Sequence, residues 1–368
     1  MSKTLSKADL EDLIIGATLL GVGGGGGPEK GLASLLEQYR QGKTFVLAQL
    51  NEFSRDDRLA SPYFVGSVAP TSELDSAKKK IEDPIAHAFK LLESKLGSRI
   101  TGTVATEIGG GNTAASLAIA AKLGIPMVDG DLMGRAGPEL HQSTTQIFGI
   151  SMSPAAIVSE TGNEFLVENY ASIDDYEAIA RYSSVISKGH VAVVDTPLRI
   201  PDAEKCVIKG TISKCLELGR ARREAIAEGK DPVEAVASRL LNGRKIFDGT
   251  VTEYSWKDER GFLFGEAYVE GSGIYEGKTL KSWIMNEHIM CWIDDEPTVM
   301  PPDLIMFTEP KTALGITNNK LTKGKDVSVL GASIDSVWRK EKGLELFGPR
   351  RFGLNYDYVP FEKLARVA

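Results

Sequence analysis

Sulfur and imidazole are scarce in this sequence: 368 residues carry three cysteines and four histidines. Cys206, Cys215 and Cys291 form no C-x-x-C pair and are odd in number. That argues against a disulfide framework or a zinc knuckle and fits a reducing cytoplasm. Basic excess is missing as well. Lys and Arg total 43 against 50 Asp and Glu, for a net charge of -7 and a pI near 5.4. Nucleic acid and anionic membranes would both reward the basic surface this chain lacks. No apolar run approaches membrane-spanning length, and the opening MSKTLSKADL is polar where a signal peptide needs an apolar core. The expected partner is therefore a small molecule. Repeats and low-complexity tracts are absent too, apart from one run of glycines.

What remains is an ordinary globular composition, 42% hydrophobic and 25% charged, at a length that suggests two domains. Residues 1–170 read as an α/β domain with a largely parallel sheet. Within it, Ser6 and Asp9 resemble a capping box before a helical stripe of Leu10, Leu13, Ile14, Ala17 and Leu20. Strands are expected over 44–50 and 63–68, the latter closed by Gly66 to Thr71. Asp83-Pro84 should start a helix that stops at Gly97, and residues 146–150 read as another strand. AAIVSE and EFLVEN flank Thr161-Gly162-Asn163 as a hairpin. Residues 171–368 read as a β-rich domain with helices near its start. Ser172 opens a helix to 188, a strand covers 190–194, and helices follow over 211–228 and 231–241. Strands are then expected over 245–256, 261–270, 279–292, 303–307 and 326–330. His87 and His190 sit where a structural role outweighs catalysis.

The chemistry concentrates between 104 and 139. A strand over 100–106 runs into Glu107-Ile108-Gly109-Gly110-Gly111-Asn112, a helix follows to Gly124, and a short strand over 125–128 empties into DGDLMGRAGPE. Pro138 would suit the start of a further helix. A strand, crossover helix and strand in one sheet run parallel, so both loops leave the same sheet edge. Glu107, Asp129, Asp131 and Arg135 should share one mouth. Clustered carboxylates raise one another's pKa, which suits proton transfer near neutrality. Against this, Asp and Asn after strands also cap helices, and Arg135 could neutralise Asp129 or Asp131.

The glycine run, Gly23 to Gly27, lies between two helices and before Pro28. A dinucleotide fingerprint needs a preceding strand, and a P-loop needs Gly-Lys-Ser/Thr; both are missing. Two readings stay open. Bare N–H groups of Gly24, Gly25 and Gly26 can hold a carboxylate, phosphate or imide carbonyl, or the run allows a backbone contact without side chains. Asn286-Glu287-His288 is expected within a strand, with Glu287 facing opposite to Asn286 and His288. Cys291 reads as a buried, unreactive thiol.

GVGGGGGPEKG (21–31), ATEIGGGNTAA (105–115), GIPMVDGDLMGRAGPEL (124–140), MNEHI (285–289) and FGPRRFGLNYDY (347–358) together resemble the S-methyl-thiohydantoin desulfurase family. The similarity covers nearly the whole chain. It implies an α/β N-terminal domain, a largely β C-terminal domain, and an enzyme acting on the C–S bond of a hydantoin-like ring. Hydrolysis would need a base, from Glu107, Asp129 or Asp131, and a cation, from Arg135. Donors for the intermediate would come from Asn112 and the amides of Gly109, Gly110 and Gly111. Glu139, Asn286 and Glu287 are further candidate substrate contacts. No cofactor is required, although Asp129 and Asp131, with Glu139, have a spacing that allows a divalent metal. The alternative is a non-catalytic small-molecule binding or accessory protein of hydantoinase-type metabolism. A homo-oligomer would be unsurprising, given apolar strands in the second half.

Overall fold

A computed structural model describes residues 2–66, 79–187, 190–259 and 261–364. Its first half runs β1 (Lys3–Thr4), α1 (Lys7–Leu20), α2 (Pro28–Arg40), β2 (Val46–Ala48), β3 (Arg58–Val65), α3 (Pro84–Leu96), β4 (Gly102–Ala105), α4 (Asn112–Leu123) and β5 (Met127–Asp131). A short α5 (Thr144–Ile147), the hairpin β6 (Ala155–Ser159) and β7 (Glu164–Val167), α6 (Ile173–Ile186), β8 (Val191–Arg199), α7 (Ile200–Cys206) and β9 (Ile208–Lys209) follow. Then come α8 (Thr211–Ala227) and α9 (Pro232–Ala237). The rest is β10 (Arg244–Glu259), β11 (Phe262–Gly271), β12 (Thr279–Met285), β13 (Glu287–Ile293), β14 (Glu296–Val299), β15 (Leu304–Thr308), β16 (Asp326–Ala332) and α10 (Glu341–Phe347).

The strands form two sheets. The N-terminal one has the order β1-β2-β5-β4-β3-β8-β6-β7, with β9 paired to β5. Its centre, β2, β5, β4 and β3, is parallel, and the pairs outside it are antiparallel. The C-terminal sheet, β14-β13-β12-β11-β10-β16-β15, is antiparallel throughout. Bulges in β10, β13 and β14 add twist, and the sheet curls until β13 approaches β15. The segment after Tyr170 returns to the first sheet, where β8 lies between β3 and β6. Helix α1 joins the halves: Leu10, Leu13 and Ala17 share one core with Leu304, Met306, Trp338 and Phe347. It crosses α8 backbone to backbone, since a Cβ on Gly16 would stand 1.9 Å from the Cys215 carbonyl oxygen.

Local chemistry sets most boundaries. The Ser6/Asp9 capping box starts α1, Asp83 caps α3, and Ser172 caps α6. Gly97 and Gly124 close α3 and α4 in the left-handed conformation. Four expectations need correction. The short strand expected over 125–128 extends through Asp131, so Asp129 and Asp131 are strand residues rather than loop residues. No helix starts at Pro138; Glu139 and Gln142 instead close a single 3-10 turn. Residues 146–150 are not a strand, because Ser143 caps the helical turn α5 and the Thr144 hydroxyl donates to the carbonyls of Leu132 and Cys206. The strand expected over 279–292 breaks at Asn286 (φ 54), whose N–H and Oδ1 both pair with the backbone of Leu263. The strand expected over 63–68 is β3, which begins at Arg58; residues 67–71 of its expected closing turn, and the expected helix end at 188, lie outside the described residues.

Candidate functional site

β4 and β5 are adjacent and parallel, and α4 crosses between them. Their carboxyl ends therefore deliver Glu107 and Asp131 to one edge of the sheet. The glycine run reaches that edge from α1. Val22, just before it, stands at φ 45, an unusual conformation for a β-branched residue. Gly25 accepts hydrogen bonds at its carbonyl from the N–H groups of Gly111 (3.0 Å) and Asn112 (3.2 Å). A Cβ on Gly25 would stand 2.5 Å from the Gly109 Cα. The two glycine loops thus pack backbone against backbone, which explains why both lack side chains.

The C-terminal sheet closes the other side. His288 donates its N–H to the Val22 carbonyl (2.9 Å), and Asn318 donates its N–H to that of Gly23 (2.8 Å). Glu287, the first residue of β13, lays its carboxyl where a Cβ on Gly24 would be, 1.9 Å from that position to Oε1, and takes a hydrogen bond from the Gly25 N–H. The glycine run is the seam between the two sheets.

Three buried carboxyls meet around this seam. Glu107 is 7% exposed; its Oε1 accepts from Asn112 Nδ2 (2.7 Å) and its Oε2 from the Gly137 N–H (3.1 Å). Burial pushes its pKa up to about 7, outweighing those donors and the charges of Arg135 and Arg181. Asp131 is fully buried. Its Oδ2 accepts from the N–H groups of Met133 (2.9 Å) and Gly134 (2.7 Å), the Thr211 hydroxyl lies near enough to favour its ionised form, and Oδ1 is buried without a hydrogen bond of ordinary geometry. Burial, with the charge of Glu107 as a further cause, raises it to about 7. Glu287 is 3% exposed, its Oε2 is unpartnered, and burial and the Glu107 charge raise it well above the carboxylate range. Thr106 Oγ1 and Asn318 Oδ1 are also buried without partners. Unpaired polar atoms at this density mark a place where a ligand or water would complete the bonding.

The remaining sequence candidates take other positions. Asp129 is buried but turned to α8: it accepts from the Ser213 N–H (2.8 Å), the Ser213 hydroxyl (2.7 Å) and Gln49 Nε2 (2.9 Å). It caps that helix. Arg135 is fully buried and pairs with neither Asp129 nor Asp131. It donates to the carbonyls of Ala136, Pro302, Asp303 and His288 and lies over the Phe347 ring at 5.2 Å. It latches the acidic loop to the C-terminal sheet, and only its field reaches the carboxyls. Glu139 is held by Arg351 through two bonds of 2.9 and 3.1 Å. The segment FGPRRFG therefore acts on the loop through Phe347 and Arg351. Asn286 is the clip to Leu263, and Gly110 packs against Pro28. The amides of Gly109, Gly111 and Asn112 already donate within the protein, to Thr113 Oγ1 and the Gly25 carbonyl. Asp129, Asp131 and Glu139 thus turn to three different partners. Among the described residues no group of three or more His, Cys, Asp or Glu side chains converges as metal ligands.

Of the nearby residues, the imidazole of His288 stacks on Phe307 and is driven to a pKa of about 3 by burial and Arg135. The Cys291 thiol is buried and raised to about 12, so it is a thiol rather than a nucleophilic thiolate. Sequence reasoning missed Arg181 and Asn318. Arg181 lies over Phe262 at 3.7 Å, binds Glu177, and donates to the carbonyls of Pro138 and Gly261 while its charge acts on Glu107 and Glu287. In the sequence it reads only as the i+4 partner of Glu177 on a helix face.

Among the described residues no helix is long and apolar enough to cross a membrane. The fold resembles that of a crystal structure of a protein from Chromobacterium violaceum, a structural-genomics target, at a TM-score of 0.76 and 22% identity. That match covers 97% of this chain and 99% of the other. Comparison with curated proteins gives no match. Residues 8–169 match the S-Me-THD-like N-terminal domain and residues 171–361 the S-Me-THD-like C-terminal domain, so the chain belongs to the S-Me-THD-like family.

Proposed function

We propose that the chain is a hydrolase of thiohydantoin-like five-membered rings, cleaving the C–S bond of an S-methyl-thiohydantoin with release of a thiol. The observation that carries the reading is Glu107, a buried carboxyl poised at about 7 between Asn112 and the Gly137 amide at the mouth of a parallel sheet. A base of that pKa is half ionised near neutrality and can take a proton from water attacking the ring carbon. Asn112 positions it: one amide N–H fixes Oε1 while the Asn112 carbonyl oxygen is held by the Phe64 N–H. Asp131 stands beside it with Oδ1 available to orient the water. A reducing cytoplasm suits three unpaired, buried thiols.

The test follows thiol release from S-methyl-thiohydantoin acids by purified protein. Parent protein should release methanethiol, and Glu107→Gln should lower the rate by about 100-fold or more, the usual weight of a general base. Binding of S-methyl-thiohydantoin, thiohydantoin and hydantoin acids in calorimetry without consumption, with and without added divalent metal, would instead make this a binding or accessory protein. Sulfide or a ring-opened ureido acid as the product would move the reading to a desulfhydrase or a hydantoinase.

A further inference from the structure

Glu287 has no role in the scheme above, yet it is the group most deeply committed to the seam. It comes from the C-terminal sheet, while Glu107 comes from the N-terminal one. Both lie against the paired glycine loops, Glu287 on Gly24 and Gly25, and Glu107 on the loop that carries Gly109 to Asn112. Their hydrogen bonding is unequal. Glu107 has a donor on each oxygen, from Asn112 and Gly137. Glu287 has one backbone donor, Gly25, and an Oε2 that is buried and unpartnered. Two donors favour the carboxylate form, and a buried oxygen without a donor favours the acid form. The positive charges acting on the pair are Arg135 and Arg181, and Glu107 also interacts with the negative charge of Asp131. Both guanidinium groups are engaged with carbonyls or Glu177, so neither bonds to Glu287.

We propose that Glu107 and Glu287 share a single proton across the two sheets, with Glu287 holding it and donating it to a ring nitrogen of the substrate. This rests on the hydrolase reading for its substrate. The ligand class is a neutral N=C(SR)–NH unit, because an acid and a carboxylate near enough for the charge of one to act on the other offer one donor and one acceptor to its two nitrogens. The proton inventory closes. As water adds to the ring carbon, its proton passes to Glu107 and the Glu287 proton passes to the imine nitrogen. As the C–S bond breaks, the new hydroxyl returns a proton to Glu287 and forms the carbonyl, while Glu107 protonates the departing methanethiolate. Water and the S-methyl ring become hydantoin and methanethiol. The pair carries one proton at the start, after the addition and at the end, so the pair itself never takes up a second negative charge.

Two measurements test this separately. Infrared difference spectra of folded, substrate-free protein at neutral pH should contain a protonated-carboxyl band that Glu287→Gln removes. Turnover of S-methyl-thiohydantoin should rise with pH through about 7 as Glu107 ionises and fall again in the alkaline range. Glu287→Gln should lose the alkaline limb and about 100-fold in kcat. Glu287→Asp, which keeps the acid but withdraws it, should keep the band and part of the rate. A band removed by Glu107→Gln but not by Glu287→Gln would overturn the proposal, as would parent-level turnover with an intact alkaline limb in Glu287→Gln. If the parent protein turns over no ring substrate, the hydrolase reading and the donor role fall. The infrared arm then still decides where the shared proton sits.

Discussion

Replacing Glu107 by Gln removes the ionisation of a buried carboxyl while keeping its shape, and the stability change should depend strongly on pH. The folded-state pKa of about 7 lies above the ordinary 4.5, with burial as the first cause. Below 4.5 the carboxyl is protonated in both states and contributes nothing. Between 4.5 and 7 the unfolded chain ionises first, so wild-type stability falls. Above 7 the full penalty, about 3 kcal/mol, is present. Gln does not titrate. The stability of Glu107→Gln relative to wild type should therefore rise by about 2 kcal/mol between about pH 5.5 and about pH 8. A constant offset opposes the gain, because the Gln amide nitrogen cannot accept from Gly137 or Asn112, a loss of about 1 kcal/mol. Removing the Glu107 charge also eases ionisation of Asp131 and Glu287, which acts in the same direction as the gain. Urea unfolding at a series of pH values, with the slope held common, reads the difference directly. A difference that stays flat across the series, or that declines with pH, would refute the reading of Glu107 as a carboxyl poised by burial.

The seam itself makes two further predictions. Gly25→Ala places a Cβ at φ 73 and 2.5 Å from the Gly109 Cα, so thermal melting should show a loss on the order of 3 kcal/mol. The three atoms nearest a Cβ on Gly24 all belong to the Glu287 side chain, so in Gly24→Ala the fold should survive while kcat drops. Asp129→Asn weakens the cap on α8, for a loss of about 1–2 kcal/mol, yet the pH profile of turnover should keep its shape.

Much of the mouth was legible because it follows from chain topology alone. A strand, a crossover helix and a strand within 36 residues leave few geometries, and Glu107 and Asp131 do meet at one sheet edge. The capping residues Ser6, Asp83 and Ser172 were equally readable, since a cap acts over three residues. Two of the failures share a cause. Residues 146–150 look like a strand by propensity, yet Thr144 bonds to Leu132 and Cys206 from elsewhere in the fold. Asn286 sits mid-run in an apolar strand pattern, and its turn depends on Leu263 of another strand.

The sequence by itself determined two domain-sized patterns, the acidic edge and the glycine-rich loops, because each is written in short-range periodicity or turn chemistry. It also supplied both readings of the glycine run. Only the tertiary structure decided that the run is a seam, because the contact joins Gly25 to Gly109 and Gly24 to Glu287 across large separations in sequence. It likewise separated Asp129, which caps a helix, from Asp131, two residues on, which keeps an unpaired oxygen. Burial made the last division. It turned Arg135 into a latch on backbone carbonyls and placed three carboxyls where water cannot hold their charge, and burial is a property of the packed molecule rather than of any stretch of its chain.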